Sequence, residues 1–243
     1  MRNLIRADLY RILRTKMIYV GALFSVIWFV VGVTARLNNI GRNATGYTRG
    51  IWEALDSFLI PIAVTVPIFS AVFSQELSAK SMQCVLGRGL TRGKLITAKL
   101  LDAAILVTGI FVLMTVAAIA MASPEYAISS RQMTNSIINI WLVALRYFGY
   151  ICFAAMLMFI ANSSALGVIV CVGFALVFRL LCMAVTNIGG IEFYDYTYDG
   201  LLDWTHRSIE AGGMGLQIIP AFLYLFAALG ITIYFFRRKE FEF

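Results

Sequence analysis

The sequence predicts an all-α integral membrane protein with six transmembrane helices, on three observations. Hydrophobic residues make up 60% of the 243 and charged residues 14%, against roughly 45–50% and about 25% in soluble domains. The apolar residues fall in six long runs, each near the ~20 residues needed to cross about 30 Å of hydrocarbon as a helix. Lysine and arginine concentrate between those runs, mostly on one side of the membrane. Barrel strands are disfavoured, because the alternating pattern of lipid-facing strands is absent and a lone segment in lipid must satisfy its own backbone groups. A single domain, 1–243, is the economical division.

Residues 1–16 carry Ile5, Leu9, Ile12 and Leu13 near helical period, with Arg2, Arg6, Arg11 and Arg14 interleaved. That pattern suits an amphipathic helix lying on the membrane surface, with a merely solvated basic leader as the alternative. The first span, Met17–Ala35, is longer than a secretory signal core, so it is expected to be retained. Ser57–Ser74 follows and holds Pro61 and Pro67, which would kink it. Leu100–Ala122, Ile137–Ala161, Ala165–Val185 and Leu216–Phe236 complete the set. Only Asn162-Ser163-Ser164 separates the fourth from the fifth, so those two should form a tight hairpin.

Charge sets the orientation, because short cytoplasmic segments keep their Lys and Arg. Thirteen of the 20 basic residues fall in the N-terminal segment, the second connection and the C-terminal tail. Five fall on the other side (Arg36, Arg42, Arg49, Arg131, Arg207), and both termini are therefore expected in the cytoplasm. The net charge of +7 thus reflects topology, and nucleic acid is not an expected partner. Cys84 lies in the basic connection and Cys152, Cys171 and Cys182 in apolar runs, without a CxxC, so no disulfide framework or zinc site is indicated.

The second connection is the most informative stretch. Residues 75–99 gather Lys80, Arg88, Arg92, Lys94 and Lys99 against the single acid Glu76, and they include the turn Gly89-Leu90-Thr91-Arg92-Gly93-Lys94. This order resembles the permease subunits of ABC-2-type transporters, especially the small antibiotic-resistance and lantibiotic-immunity permeases. Those carry an acid after the second span, a G-x-(S/T)-R-x-K turn, and a Lys opening the third span. The opening Met1–Leu9 and the closing Phe236–Phe241 also resemble that family's ends.

The resemblance implies an exporter half whose cytoplasmic coupling helix docks an ATPase through Glu76, Lys80, Arg88, Thr91, Arg92, Lys94 and Lys99. It further implies two ABC ATPase subunits that hold ATP and magnesium, and a second permease copy or a related one. The expected setting is a bacterial cytoplasmic membrane, and the expected role is export of, or resistance to, an antimicrobial peptide or antibiotic. A bland alternative for the basic residues is topology and contact with anionic lipid. Two other functions compete: a noncatalytic membrane sensor or assembly partner of an ATPase, and a secondary transporter, which would usually show more spans and inverted repeats.

No catalytic residue is assigned and the chain is not expected to be an enzyme. Gly87 through Lys94 superficially evokes a phosphate-binding loop, but five residues separate Gly87 from Gly93 and Leu95 stands where a magnesium-binding hydroxyl belongs. No cofactor is therefore expected in this chain. Small pairs such as Ala118/Ala122 and Gly167/Cys171 permit close helix contact without identifying an interface. Asn43-Ala44-Thr45 fits a glycosylation sequon and is read as coincidence.

Candidate residues for a substrate path are Arg146, Arg179, Asp195, Asp199 and Asp203. A charged side chain at the bilayer centre costs at least about 2.5 kcal/mol, so neither arginine should face lipid unaided. Each is expected to snorkel, to pair with Asp56 or Glu53, or to line a polar cavity. The long external segment 186–215 places Glu192, Asp195, Asp199, Asp203, His206 and Glu210 at helical spacing among aromatic residues. A solvated face of a membrane-surface segment is the plain expectation there, and a vestibule or gate the functional one. Metal is not expected, since one face of one helix rarely supplies convergent ligands, and the lone His206 leaves no hydrolytic triad in the membrane.

Overall fold

The computed structural model describes residues 2–40, 43–74, 91–122, 128–161, 163–189 and 193–238. Among them every regular element is helical and none is a strand. The order is α1 (Arg2–Ile12), α2 (Lys16–Ile40), α3 (Ala44–Leu55), α4 (Leu59–Phe69) running into a π-helical turn (Ser70–Ser74), and α5 (Arg92–Met121). There follow α6 (Ser130–Ala161), α7 (Ser164–Leu176), α8 (Phe178–Gly189), a 3₁₀ turn (Tyr194–Tyr196), α9 (Tyr198–Glu210) and α10 (Ile218–Arg238).

Four of these helices (α2, α5, α6 and α10) are long and apolar enough to cross a membrane, and six spans result if each of two bent pairs counts as one. The bent pairs are α3 with α4, at 45°, and α7 with α8, at 60°. All six predicted spans therefore fall on helix. The differences lie at their ends and in their straightness. The second predicted span omitted α3, which continues α4 backward from the break at Asp56-Ser57-Phe58. That break contains Ser57, four residues before Pro61, where the missing N–H and the ring of that proline disfavour helix, whereas Pro67 sits inside α4.

Local chemistry explains the boundaries. Asn43 caps α3 by accepting from Gly46 N at 2.7 Å, so the sequon asparagine is already used by the backbone. Ser163 caps α7 by accepting from Leu166 N at 3.4 Å, which closes the predicted α6–α7 hairpin. Within the spans, hydroxyls return to their own helix: Ser25 to Gly21 O, Thr65 to Pro61 O and Thr232 to Ala228 O, each at 2.7 Å. A polar side chain in lipid needs such a local acceptor.

Helix α6 forms the centre, packing against α3, α4, α5, α7, α9 and α10. The small residues noted above serve these internal contacts. A Cβ on Gly167 would collide with the Phe69 ring, Cys171 is buried, and the Ala118 carbonyl accepts from Tyr47 Oη at 2.6 Å. Two ends of the bundle are distinguishable. At one, Phe159 meets Phe236 and Phe73, and α1 lies against α5. At the other, α3 and α9 close around the first half of α6.

Candidate functional site

A buried charged cluster lies near the middle of α6, where α3 and α9 pack against it. Arg146 stands fifteen residues before Ala161, about 22 Å along α6 at 1.5 Å per residue, and is 7% exposed. At that depth a guanidinium needs partners, and three carboxylates supply them. Its Nη2 donates to Asp203 Oδ1, its Nε lies 3.9 Å from Asp199 Oδ1, and its Nη1 lies 3.7 Å from Asp56 Oδ1. The indole of Trp52 sits 5.8 Å from the guanidinium carbon. Three elements thus converge on one side chain: α6 brings the cation, α9 two acids, and the end of α3 the third.

Tyrosines fix the carboxylates. Tyr150, one turn beyond Arg146, donates to Asp199 Oδ2 at 2.8 Å, and Tyr194 in the 3₁₀ turn donates to Asp203 Oδ2. Burial, and after it the Asp203 charge, pushes the Tyr194 phenol well above its ordinary 10.0, so it remains a donor at any physiological pH. Tyr198 Oη donates to Leu145 O at 2.6 Å, its ring lying over Gly149. Tyr147 Oη donates to Leu55 O at 2.9 Å, which satisfies one of the open carbonyls at the end of α3.

Helix α9 is aimed by its own first turn. Thr197 Oγ1 accepts from Gly200 N at 3.2 Å and donates to Tyr194 O at 2.7 Å, joining the cap to the 3₁₀ turn. Asp199, Asp203 and His206 then follow at intervals of four and three on the face that meets α6. The plain expectation of a solvated acidic face is therefore corrected for these three residues, which are 4%, 7% and 5% exposed. The acids point inward because Arg146 lies within reach. Asp195 is half-buried and pairs with Arg207 at 3.5 Å, outside the cluster.

His206 forms the second part of the site. Its ring stacks on Trp52 with centroids 3.7 Å apart, and Nδ1–H donates to Asn139 Oδ1 at 2.7 Å, leaving Nε2 3.7 Å from Glu210 Oε1. Burial lowers its pKa below the ordinary 6.5, helped by Arg146 and Arg207 and opposed by Glu210 and Asp203. A lowered native pKa means the neutral ring fits the site. The contribution of the neutral His206 ring is thus complete above pH 6.5 and is lost as pH falls toward the native value. The melting midpoint of the full chain should fall as pH drops below 6.5, and His206→Gln should flatten that part of the curve. Equal slopes in both proteins would sink the assignment.

The other candidates are placed as follows. Glu76, Lys80 and Arg88 lie outside the described residues, as do the side chains of Arg92 and Arg179. Thr91 is exposed and precedes α5, and Lys94 is exposed in its first turn. Lys99 is buried, 1% exposed, with its Nζ 2.7 Å from Asp8 Oδ2 on α1. Of the two acids proposed for Arg146, Asp56 is near it, whereas Glu53 pairs with Arg36 at 2.7 Å and Arg49 at 2.8 Å. Asn139, Tyr150, Trp52 and Tyr194 were not read as site residues. A signal for two of them was present, since spacings of seven and four put Asn139, Arg146 and Tyr150 on one face of α6.

Chemically the cluster is a hydrogen-bonded junction in which one guanidinium faces three carboxylates. Among the described residues no three His, Cys, Asp or Glu side chains are grouped to hold a metal. Its carboxylates and guanidinium can hold α9 on the bundle, and they can exchange partners with a charged group that reaches them. Compared with known proteins, the chain matches no family model and no curated protein.

Proposed function

We propose that the chain is the membrane-spanning permease subunit of an ATP-driven transporter of the ABC-2 type. ATP hydrolysis takes place on two separate ATPase subunits, which hold ATP and magnesium. A second permease copy or a related one completes the conduit. In this reading the membrane is the bacterial cytoplasmic membrane, both termini are cytoplasmic, and the cargo is an antimicrobial peptide or antibiotic.

One juxtaposition carries the reading: the basic connection in the sequence lies between α4 and α5, two packed helices at the end of the bundle where α1 lies. A rigid-body push on residues 75–91 would enter both spans. Through Lys99 and Asp8 it would also reach α1, whose carboxylate is 2.7 Å from the Lys99 ammonium. Lys94 and Thr91 are exposed at the start of α5, available to a soluble partner. Arg146, Asp199 and Asp203 lie halfway along α6, on the way to the side where cargo would leave.

The test is co-purification with a candidate ABC ATPase. Reversing charge with Arg92→Glu and Lys94→Glu should reduce the retained ATPase by roughly tenfold or more, since like charges across an interface are costly. Undiminished association together with normal transport would overturn the docking role. In proteoliposomes, ATP hydrolysis stimulated by one member of a panel of cationic peptides and lipids would identify the cargo class.

A further inference from the structure

Helix α1 turns its single acid inward. Asp8 is the only Asp or Glu in the first 52 residues, and its Oδ2 lies 2.7 Å from the buried Lys99 Nζ. Ile12, 1% exposed, anchors the same side, with Ile5 and Leu9 half-buried. The remaining surface of α1 exposes Arg6, Tyr10 and Arg11, and the turn after it exposes Leu13 and Arg14. Arg14 donates to the Tyr10 hydroxyl and lies 4.5 Å from that ring's centroid, so its head is held at the surface.

Position along the chain says what this face meets. Three residues after Arg14 the exposed side of α2 becomes apolar, with Met17, Tyr19, Val20 and Leu23 all more than half exposed. Those side chains are suited to lipid tails, so the arginines stand at headgroup height, one turn before the hydrocarbon begins. Cationic side chains there attract phosphate by charge, and a headgroup without a compensating ammonium leaves that attraction unopposed.

We infer that the arginine face of α1 is a binding surface for anionic phospholipid headgroups of the leaflet against which α1 lies. The pair between Asp8 and Lys99 connects that surface to the first turns of α5. Lipid bound to α1 therefore steadies the element that follows the basic connection.

The experiment uses the full chain in mixed micelles, with retained lipids counted by native mass spectrometry. The probes are phosphatidylglycerol and phosphatidylcholine. The native protein should retain phosphatidylglycerol preferentially, and R6Q/R11Q/R14Q should reduce that preference by on the order of a hundredfold, at about fivefold per arginine. R6K/R11K/R14K, which keeps the charge, should retain most of it. The inference is overturned if the glutamine variant keeps the native preference, or if the lysine variant loses as much as the glutamine variant. It is equally overturned if inorganic phosphate displaces phosphatidylglycerol at equal concentration.

Discussion

Replacing Arg146 with alanine is expected to destabilise the full chain by about 3–5 kcal/mol, the range for removing one partner of a buried ion pair. The guanidinium is 7% exposed, donates to Asp203 and lies 3.9 Å from Asp199 and 3.7 Å from Asp56. Without it those carboxylates share a confined space with no cation from α6. Arg146→Lys should rescue poorly, because one ammonium cannot reproduce a planar fork aimed at several acids. Combining Arg146→Ala with Asp203→Ala should cost less than the sum of the two single changes, as expected for groups in one network. Denaturant unfolding in detergent measures all four variants. An Arg146→Ala protein as stable as the native one would show that the cluster does not hold α9 in place.

The second large effect is expected at Gly200. A Cβ there would fall onto the main chain of Tyr194, with its carbonyl carbon at 2.6 Å and Asp195 Cα at 2.8 Å. Main chain cannot swing aside as a side chain can, so Gly200→Ala should separate the 3₁₀ turn from α9. The cost should be about 3 kcal/mol, at the upper part of the usual overpacking range. Tyr194 would then lose its bond to Asp203, and the polar cluster would open at that edge. Gly109→Ala and Gly173→Ala provide controls, since nothing lies within 4 Å of a Cβ at either position. Both should melt at or above the native midpoint. If Gly200→Ala behaves as they do, the close approach has no energetic weight.

The spans were legible because about twenty consecutive apolar residues have few alternatives to a membrane helix. Helix α3 was not, because Tyr47, Arg49, Trp52 and Glu53 read as a polar loop until α2 and α6 are packed against them. Its polar positions are satisfied by partners far along the chain: Tyr47 donates to Ala118 O, 71 residues away, and Glu53 is shared by Arg36 and Arg49. The site was half legible for a related reason. Arg146 declared itself as a charge within a span, and the spacing of Asp199, Asp203 and His206 identified one face of a helix. Periodicity gives a face but not the direction it looks. The partners that turn it inward stand 57, 49 and 67 residues away, in Arg146, Tyr150 and Asn139.

The π-helical turn at Ser70–Ser74 bears on how much the length of this chain can vary. A π turn holds one residue more than an α path over the same rise. Ala71, Val72 and Phe73 are buried there, immediately ahead of the basic connection. Deleting one of these five residues would let the segment close as ordinary α-helix and leave the aim of everything downstream nearly unchanged. The same deletion inside α4 would rotate that aim by about 100°. The bent pair of α3 and α4 thus has a built-in tolerance for losing a residue where it meets the connection, and almost none a turn earlier.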